Sequence, residues 1–306
     1  MPAFWTLVSG LLSSGAAADT EAMKRTVRTE SHDSRGDVTP ASPHDTRMAL
    51  VERSGRSFAV VPNAFVQNPN QSGPRPGPLA TFVRNGDHRG LNALLLLYTM
   101  VSSGDGDNGW STTLPLAVWA RAFDTVSTAT PASANSAATK IVTRLCNRGL
   151  VERRRSGRAR SVTLTLLNAD GGGGPYVRPR GSDRDDWFIR LDHRYWSQEW
   201  DKRLSLPALA MLLVALHEKP GFALPTEKVP AWYGWSADTA ERGFRELQDE
   251  GLLSMSAEVY AEPMSPTGLG SRNRYTVQSP FDPKSVDAAV KGKDKRRLAR
   301  AKASRA

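Results

Sequence analysis

Five arginines fall within eight positions of the chain, at Arg153, Arg154, Arg155, Arg158 and Arg160. A guanidinium is planar, permanently charged and able to donate two parallel hydrogen bonds to one phosphate or carboxylate. Like charges this close repel one another, and a polyanion relieves the repulsion. Just upstream, Ala138, Ile141, Val142 and Leu145 recur at helical spacing, which predicts a helix with that face buried. Asn135, Ser136, Thr139, Lys140 and Thr143 then face outward, with Arg144 on the same helix. Small polar side chains and one lysine suit close approach to a groove. Residues 133–167 hold eight Lys/Arg and one acid, a net +7. The whole 306-residue chain carries +10, a balance that favours a polyanionic partner.

Two further basic sets stand out. Arg242 and Arg245 lie on a second helical stretch, 236–250, among Asp238, Glu241, Glu246, Asp249 and Glu250. Residues 187–278 around them hold ten Lys/Arg against twelve acids, so this part is the weaker phosphate binder and a candidate for dimerisation or for docking another protein. The chain closes on KGKDKRRLARAKASRA, where Lys295, Arg296 and Arg297 are the densest cluster. Such a tail adds salt-sensitive affinity for a polyanion.

Catalytic patterns are missing. There is no P-loop, no Gly-x-Ser-x-Gly elbow and no His-Glu-x-x-His, so neither an enzyme nor a cofactor is expected. Asp185, Asp186, Asp192, His193, Glu199 and Asp201 are close in sequence. A nuclease metal site is one reading of them, and a charged surface is the preferred one. Gly171 to Gly174 only mimics a phosphate loop, as no helix is expected to follow it. A single cysteine, Cys146, excludes an internal disulfide. No apolar run reaches the ~20 residues of a membrane span. Phe4 to Leu12 lacks the charged n-region of a secretory signal. A cytoplasmic protein is expected, with no membrane partner.

Composition divides the chain around these residues into five segments. Residues 1–54 read as a disordered N-terminal tail, 55–167 as one domain, 168–186 as a flexible Gly/Pro-rich linker, 187–280 as a second domain and 281–306 as a basic C-terminal tail. The two domains follow one plan. Each opens on a β-prone segment, Phe58–Val61 and Phe188–Leu191, followed by Phe65 or Tyr195. An apolar helix follows, 91–101 and 205–216, the second with Ser205 as N-cap. Leu-Pro recurs at Leu114-Pro115 and Leu224-Pro225, before short helices carrying Trp119 and Trp232. Setting Gly149 on Gly251 pairs Ala138 with Ala240, Lys140 with Arg242, Leu145 with Leu247 and Leu150 with Leu252. The glycine fits a left-handed helix cap and the leucine after it packs back. A hairpin is then expected, turning at Ser156-Gly157 in the first domain. Trp110, Trp119, Trp196 and Trp232 are expected in the core rather than stacked on bases.

This order, with third helices ending RGLV and EGLL, resembles the winged helix-turn-helix family. Two copies in tandem are similar to plasmid replication initiators, and the single pattern is shared with bacterial winged-helix transcription regulators. The resemblance implies a mainly α fold with small β-hairpins (α+β), the third helix in the major groove and the hairpin on the DNA backbone. It implies sequence-specific binding of double-stranded DNA at an origin or operator, with a homodimer and the replication or transcription machinery as further partners. The first domain departs from a compact member: DTVSTATPASAN lengthens the connection before its third helix. Two alternatives stay open. One is a transcription regulator whose second domain dimerises or senses a ligand, and the other is a winged-helix adaptor between proteins.

Overall fold

Ser42 followed by Pro43 and Asp45 is a helix-start signal, and it is used. The computed structural model describes residues 39–68, 73–101, 109–127, 129–156 and 161–303. The sequence-expected tail over 1–54 therefore ends early. Residues 1–38 lie outside the described residues, and Pro43–Arg53 forms helix α1 with a full capping box between Ser42 and Asp45. Leu50 and Val51 of α1 are buried in the common core. The helix escaped sequence reading because its apolar face is only two or three residues wide. Residues 41–306 form one compact unit.

What joins the two expected domains is a pair of strands. β1 (Phe58–Pro62) and β5 (Phe188–Asp192) are antiparallel partners, with Val60 opposite Arg190. Each opening segment thus pairs across to the other domain instead of staying in its own. The short helix after each strand follows. α2 (Asn63–Val66) packs on α9 (Leu206–His217), an apolar helix of the second block. α7 (Arg194–Ser197) reaches α4 (His88–Met100) of the first. Tyr195 Oη donates to Asn92 Oδ1 at 2.6 Å and Trp196 Nε1 to Thr99 Oγ1 at 3.1 Å. This exchange explains why α4 and α9 are apolar nearly all round: ten of thirteen and eight of twelve residues are buried. A helix with no polar face is a helix covered on all sides. α3 (Leu79–Arg84) and α8 (Trp200–Arg203) complete this layer. Its Arg84 Nε donates to the Gly234 carbonyl, tying the blocks again.

Around that centre the fold is mixed α+β with small antiparallel sheets. In the first block α4 leads to β2 (Ser111–Pro115), α5 (Leu116–Ala122), α6 (Pro131–Asn147) and the hairpin β3 (Val151–Ser156) and β4 (Ser161–Leu166). β4 lies between β2 and β3. The lengthened connection is partly absorbed by α6, which begins at Pro131, with Thr130 as its N-cap. The Thr125 hydroxyl, buried, lies 2.9 Å from the Ala120 carbonyl and 3.0 Å from that of Ala134, joining α5 to α6. The second block runs α9, α10 (Val229–Trp232), α11 (Ala237–Asp249) and the hairpin β6 (Leu253–Ala261) and β7 (Leu269–Val277). Its third strand is reduced to one bridge, Phe222 with Tyr275. Trp119 and Trp196 are fully buried. Trp110 and Trp232 are half-buried at the rim, each under an arginine: Arg178 and Arg75.

Two further expectations need correction. The segment 168–186 is ordered, not a flexible linker. Asn168 N–H donates to the Gly174 carbonyl at 2.7 Å, Tyr176 is buried against Tyr98 and Trp110, and the Asp186 carboxylate accepts the backbone N–H groups of Arg180, Gly181 and Ser182. Glycine's freedom in the unfolded chain is spent here on a tight turn. The basic tail over 281–306 is α12 (Pro283–Ala303). It is pinned by buried Phe281 and Val286 and by the Arg190–Asp287 ion pair at 2.6 Å.

Gly149 and Gly251, equivalent in sequence, separate these forces. Both have left-handed backbones, φ +66° and +69°. A Cβ on Gly149 meets the Gly171 carbonyl oxygen at 2.4 Å, whereas one on Gly251 meets nothing within 4 Å. Gly251→Ala is expected to cost about 1–2 kcal/mol of unfolding free energy, the conformational term alone. Gly149→Ala should cost at least about 3 kcal/mol, because the turn at 171 must also move. Urea unfolding of the two variants measures both. Equal losses would mean that the glycine-rich turn does not pack on α6.

Candidate nucleic-acid interface

The outward face of α6 is set by its buried one. Ala134, Ala138, Ile141, Val142 and Leu145 are buried, which leaves Ser136, Lys140 and Thr143 exposed and Asn135 and Thr139 half-buried. Thr139 Oγ1 donates to the Asn135 carbonyl at 2.8 Å and Thr143 Oγ1 to that of Thr139 at 2.9 Å. Their protons are therefore used within the helix, and each offers a methyl group and lone pairs outward. Lys140 is the charge on this face.

Arg144 is placed differently from its neighbours. Its Nε and Nη2 bind both carboxylate oxygens of Asp87, at 3.0 and 2.8 Å, and Arg148 Nη1 adds a third bond at 2.6 Å. Asp87 is also the N-cap of α4, accepting from Gly90 N–H at 3.0 Å. Burial works against ionisation of Asp87, but the bonds from Arg144 and Arg148 outweigh it and hold its pKa below the ordinary value. Arg148 also lies over the Phe82 ring at 4.1 Å. Arg144 is thus a clamp between α6 and α4, sharing one carboxylate with Arg148.

The arginine run divides by strand alternation. Residues that alternate along a strand point to opposite faces. Val151, Arg153 and Arg155 lie opposite Leu166, Leu164 and Val162 of β4, whose side chains are buried. Arg153 and Arg155 therefore share the face turned to α6. They line a cleft of about 290 Å³ with Leu116, Trp119, Thr139 and Val142. Arg154 falls on the outer face, opposite Thr163 and 4.0 Å from Glu152. Three consecutive arginines look like one cluster in sequence, yet only two of them join the helix. Arg158 and Arg160 lie outside the described residues.

In the second block Arg242 is 3.2 Å from Asp238 on its own helix, and Arg245 is exposed. Glu246 and Glu250 do structural work: Glu246 accepts from Ser205 N–H at 2.7 Å at the start of α9, and Glu250 pairs with Arg203. On the hairpin, Arg272 and Arg274 both donate to Glu258, at 2.5 and 2.6 Å, and hold its pKa down at about 2. Sequence reading missed these two arginines; their same-face register with Glu258 and Ser256 was the available signal. On α12, Lys293 is used against the Arg56 carbonyl, while Lys295, Arg296 and Arg297 are exposed. The acids weighed as a nuclease site are dispersed: Asp192 binds Arg194, Glu199 binds Lys202 and Asp201 faces Arg47. Among the described residues no group of three His, Cys, Asp or Glu converges on a metal position. No described helix is long and apolar enough to cross a membrane.

The Asp87 clamp makes a pH prediction. A carboxyl with a lowered folded pKa stabilises fully above its unfolded value of about 3.9, and that stability is lost as pH falls through the folded pKa. Asp87→Asn keeps the cap and loses the charge. It is expected to cost about 2 kcal/mol at pH 7. The gap from the parent protein should close as pH is lowered below about 4. Urea titrations across that range check it, and a gap constant with pH would assign the loss to packing.

No protein-family model, curated protein or solved structure matches the chain.

Proposed function

We propose that the chain binds double-stranded DNA through the first block, as a winged helix, with α6 as the groove-reading helix and β3–β4 as the wing. The observation that carries this reading is the cleft in which Arg153 and Arg155 of the hairpin face Thr139 of α6. Helix, strand, two helices and hairpin, with β4 between β2 and β3, is the arrangement that sets a third helix beside a basic wing. Ser136, Lys140 and Thr143 then meet base edges. Arg153 and Arg155 meet phosphate, where two oxygens replace the mutual repulsion of the free protein. Lys295, Arg296 and Arg297 add sequence-independent affinity.

The second block repeats the element order with a poorer surface for DNA. Its third helix is acidic, and its hairpin arginines share Glu258. Met255, Val259 and Leu269 are exposed instead, and they alternate onto one face of the hairpin. This favours a protein partner for the second block, either another copy of the chain or a component of the replication or transcription machinery. A plasmid- or phage-type origin or operator is the proposed target, on the likeness of the tandem element order to plasmid replication initiators.

The test is selection of bound duplexes from random DNA at two salt concentrations, followed by affinity measurements on the enriched site. Lys140→Ala should raise Kd about tenfold on that site and far less on random duplex. Arg155→Ala should weaken both alike and lower the salt dependence by about one counterion. Arg154→Ala and Arg144→Ala should have smaller effects, the latter acting through stability. No retention of DNA at either salt would overturn the proposal.

A further inference from the structure

Asn135, Thr139 and Thr143 follow one another along α6 at four-residue steps, so they lie one above the next on the same side of the helix. The hydrogen bonds trace the same stripe: Thr139 Oγ1 donates to the Asn135 carbonyl and Thr143 Oγ1 to that of Thr139. Each bond fixes a rotamer and consumes the hydroxyl proton. A threonine held in this way presents a methyl group and acceptor lone pairs to a partner, and no donor. Asn135 adds an amide, with a donor and an acceptor side by side.

Each base pair shows a different edge in the major groove. Guanine offers two acceptors, N7 and O6, and is read by a cation with paired donors, arginine above all. α6 holds one arginine, Arg144, whose Nε and Nη2 are bound to Asp87. Its one lysine, Lys140, is a single cation beside the stripe. Thymine offers its C5-methyl, which is read by apolar contact, a threonine methyl included. Adenine offers the N6 donor and N7 acceptor that an asparagine amide matches. The stripe therefore fits thymine and adenine better than guanine. From Asn135 to Thr143 it rises about 12 Å, and with bases about 3.4 Å apart it spans about four of them. Thr139, at its centre, lines the same cleft as Arg153 and Arg155. A phosphate held by those arginines sets the neighbouring base edge against the Thr139 methyl.

We propose that α6 reads a run of A·T pairs, with the Thr139 and Thr143 methyls against thymine methyls and the Asn135 amide on adenine. This inference rests on the DNA-binding reading and deepens it. The experiment uses the full chain, the duplex selected from random DNA, and copies of that duplex in which uracil replaces one thymine at a time. Uracil keeps every base-pairing hydrogen bond and lacks only the methyl. The selected site should contain a run of about three or four A·T pairs. At one thymine of that run uracil should raise Kd about fourfold, the loss of one buried methyl. Thr139→Ser keeps the hydroxyl and its bond within the helix and removes the methyl. In that variant the penalty should vanish, while the penalty at a second thymine, set by Thr143, should remain. Asn135→Ala should lower the preference for adenine over guanine at one end of the run about tenfold. Four results overturn this inference and leave the DNA-binding reading standing: DNA retained with no selected site, a selected site of G·C pairs, uracil tolerated at every thymine, or penalties unchanged in both Thr139→Ser and Thr143→Ser. A chain that retains no duplex overturns that reading and this inference with it.

Discussion

The pairing of β1 with β5 is the constraint on which the other features depend. It is a non-local contact, closing a long stretch of chain, and its entropy cost is met by what it brings together. Once Val60 lies opposite Arg190, α2 is delivered to α9 and α7 to α4. Those two helices could not be apolar nearly all round in separate domains, where each would show one face to water. The exchange makes one core of two repeats. The orientation of α6 relative to α11 is then a property of that core rather than of a tether.

The local features were legible in the sequence, and the long-range ones were not. Ser236 and Ser205 cap their helices as their types suggest, the alternation in VTLTLL became β4, and the glycines before Leu150 and Leu252 took left-handed conformations. Each of these rests on neighbours within a few residues. By contrast, Phe58–Val61 and Phe188–Leu191 declare that they are strands but not whom they pair with. The eleven residues of α1 follow the same rule. Its capping box is a local signal, yet only the partners of Leu50 and Arg47, far away in the chain, make the helix worth forming. The segment after Leu167 misled for a related reason. Glycine-rich composition describes the unfolded chain, and Tyr176, the residue that decides the matter, shows its value only when Tyr98 and Trp110 are beside it.

Charge in this protein is sorted by geometry more than by amount. The run of arginines in β3 is divided by the two-residue period of the strand, so that Arg153 and Arg155 look toward α6 while Arg154 looks away. Arg144 and Arg148 share Asp87, Arg272 and Arg274 share Glu258, and Arg194 pairs with Asp192. A guanidinium already matched by a carboxylate gains little from a phosphate, since binding must first break the existing pair. The net +7 over residues 133–167 therefore overstates the charge free to act, and part of what remains is gathered at one place, with Arg153 and Arg155 lining a cleft beside Thr139.

Arg47 and Asp201 show the same sorting taken to its limit. Buried ion pairs seldom stabilise a fold as well as apolar residues of the same volume would. Here the pair is also incompletely hydrogen-bonded. Burial pushes the Asp201 carboxyl upward against the pull of Arg47. Leucine and methionine, which fill the buried faces of α4 and α9, would hold α1 on α8 at no such cost, so among the described residues this contact is the one place where the core joins its elements by a pair of fully buried charges.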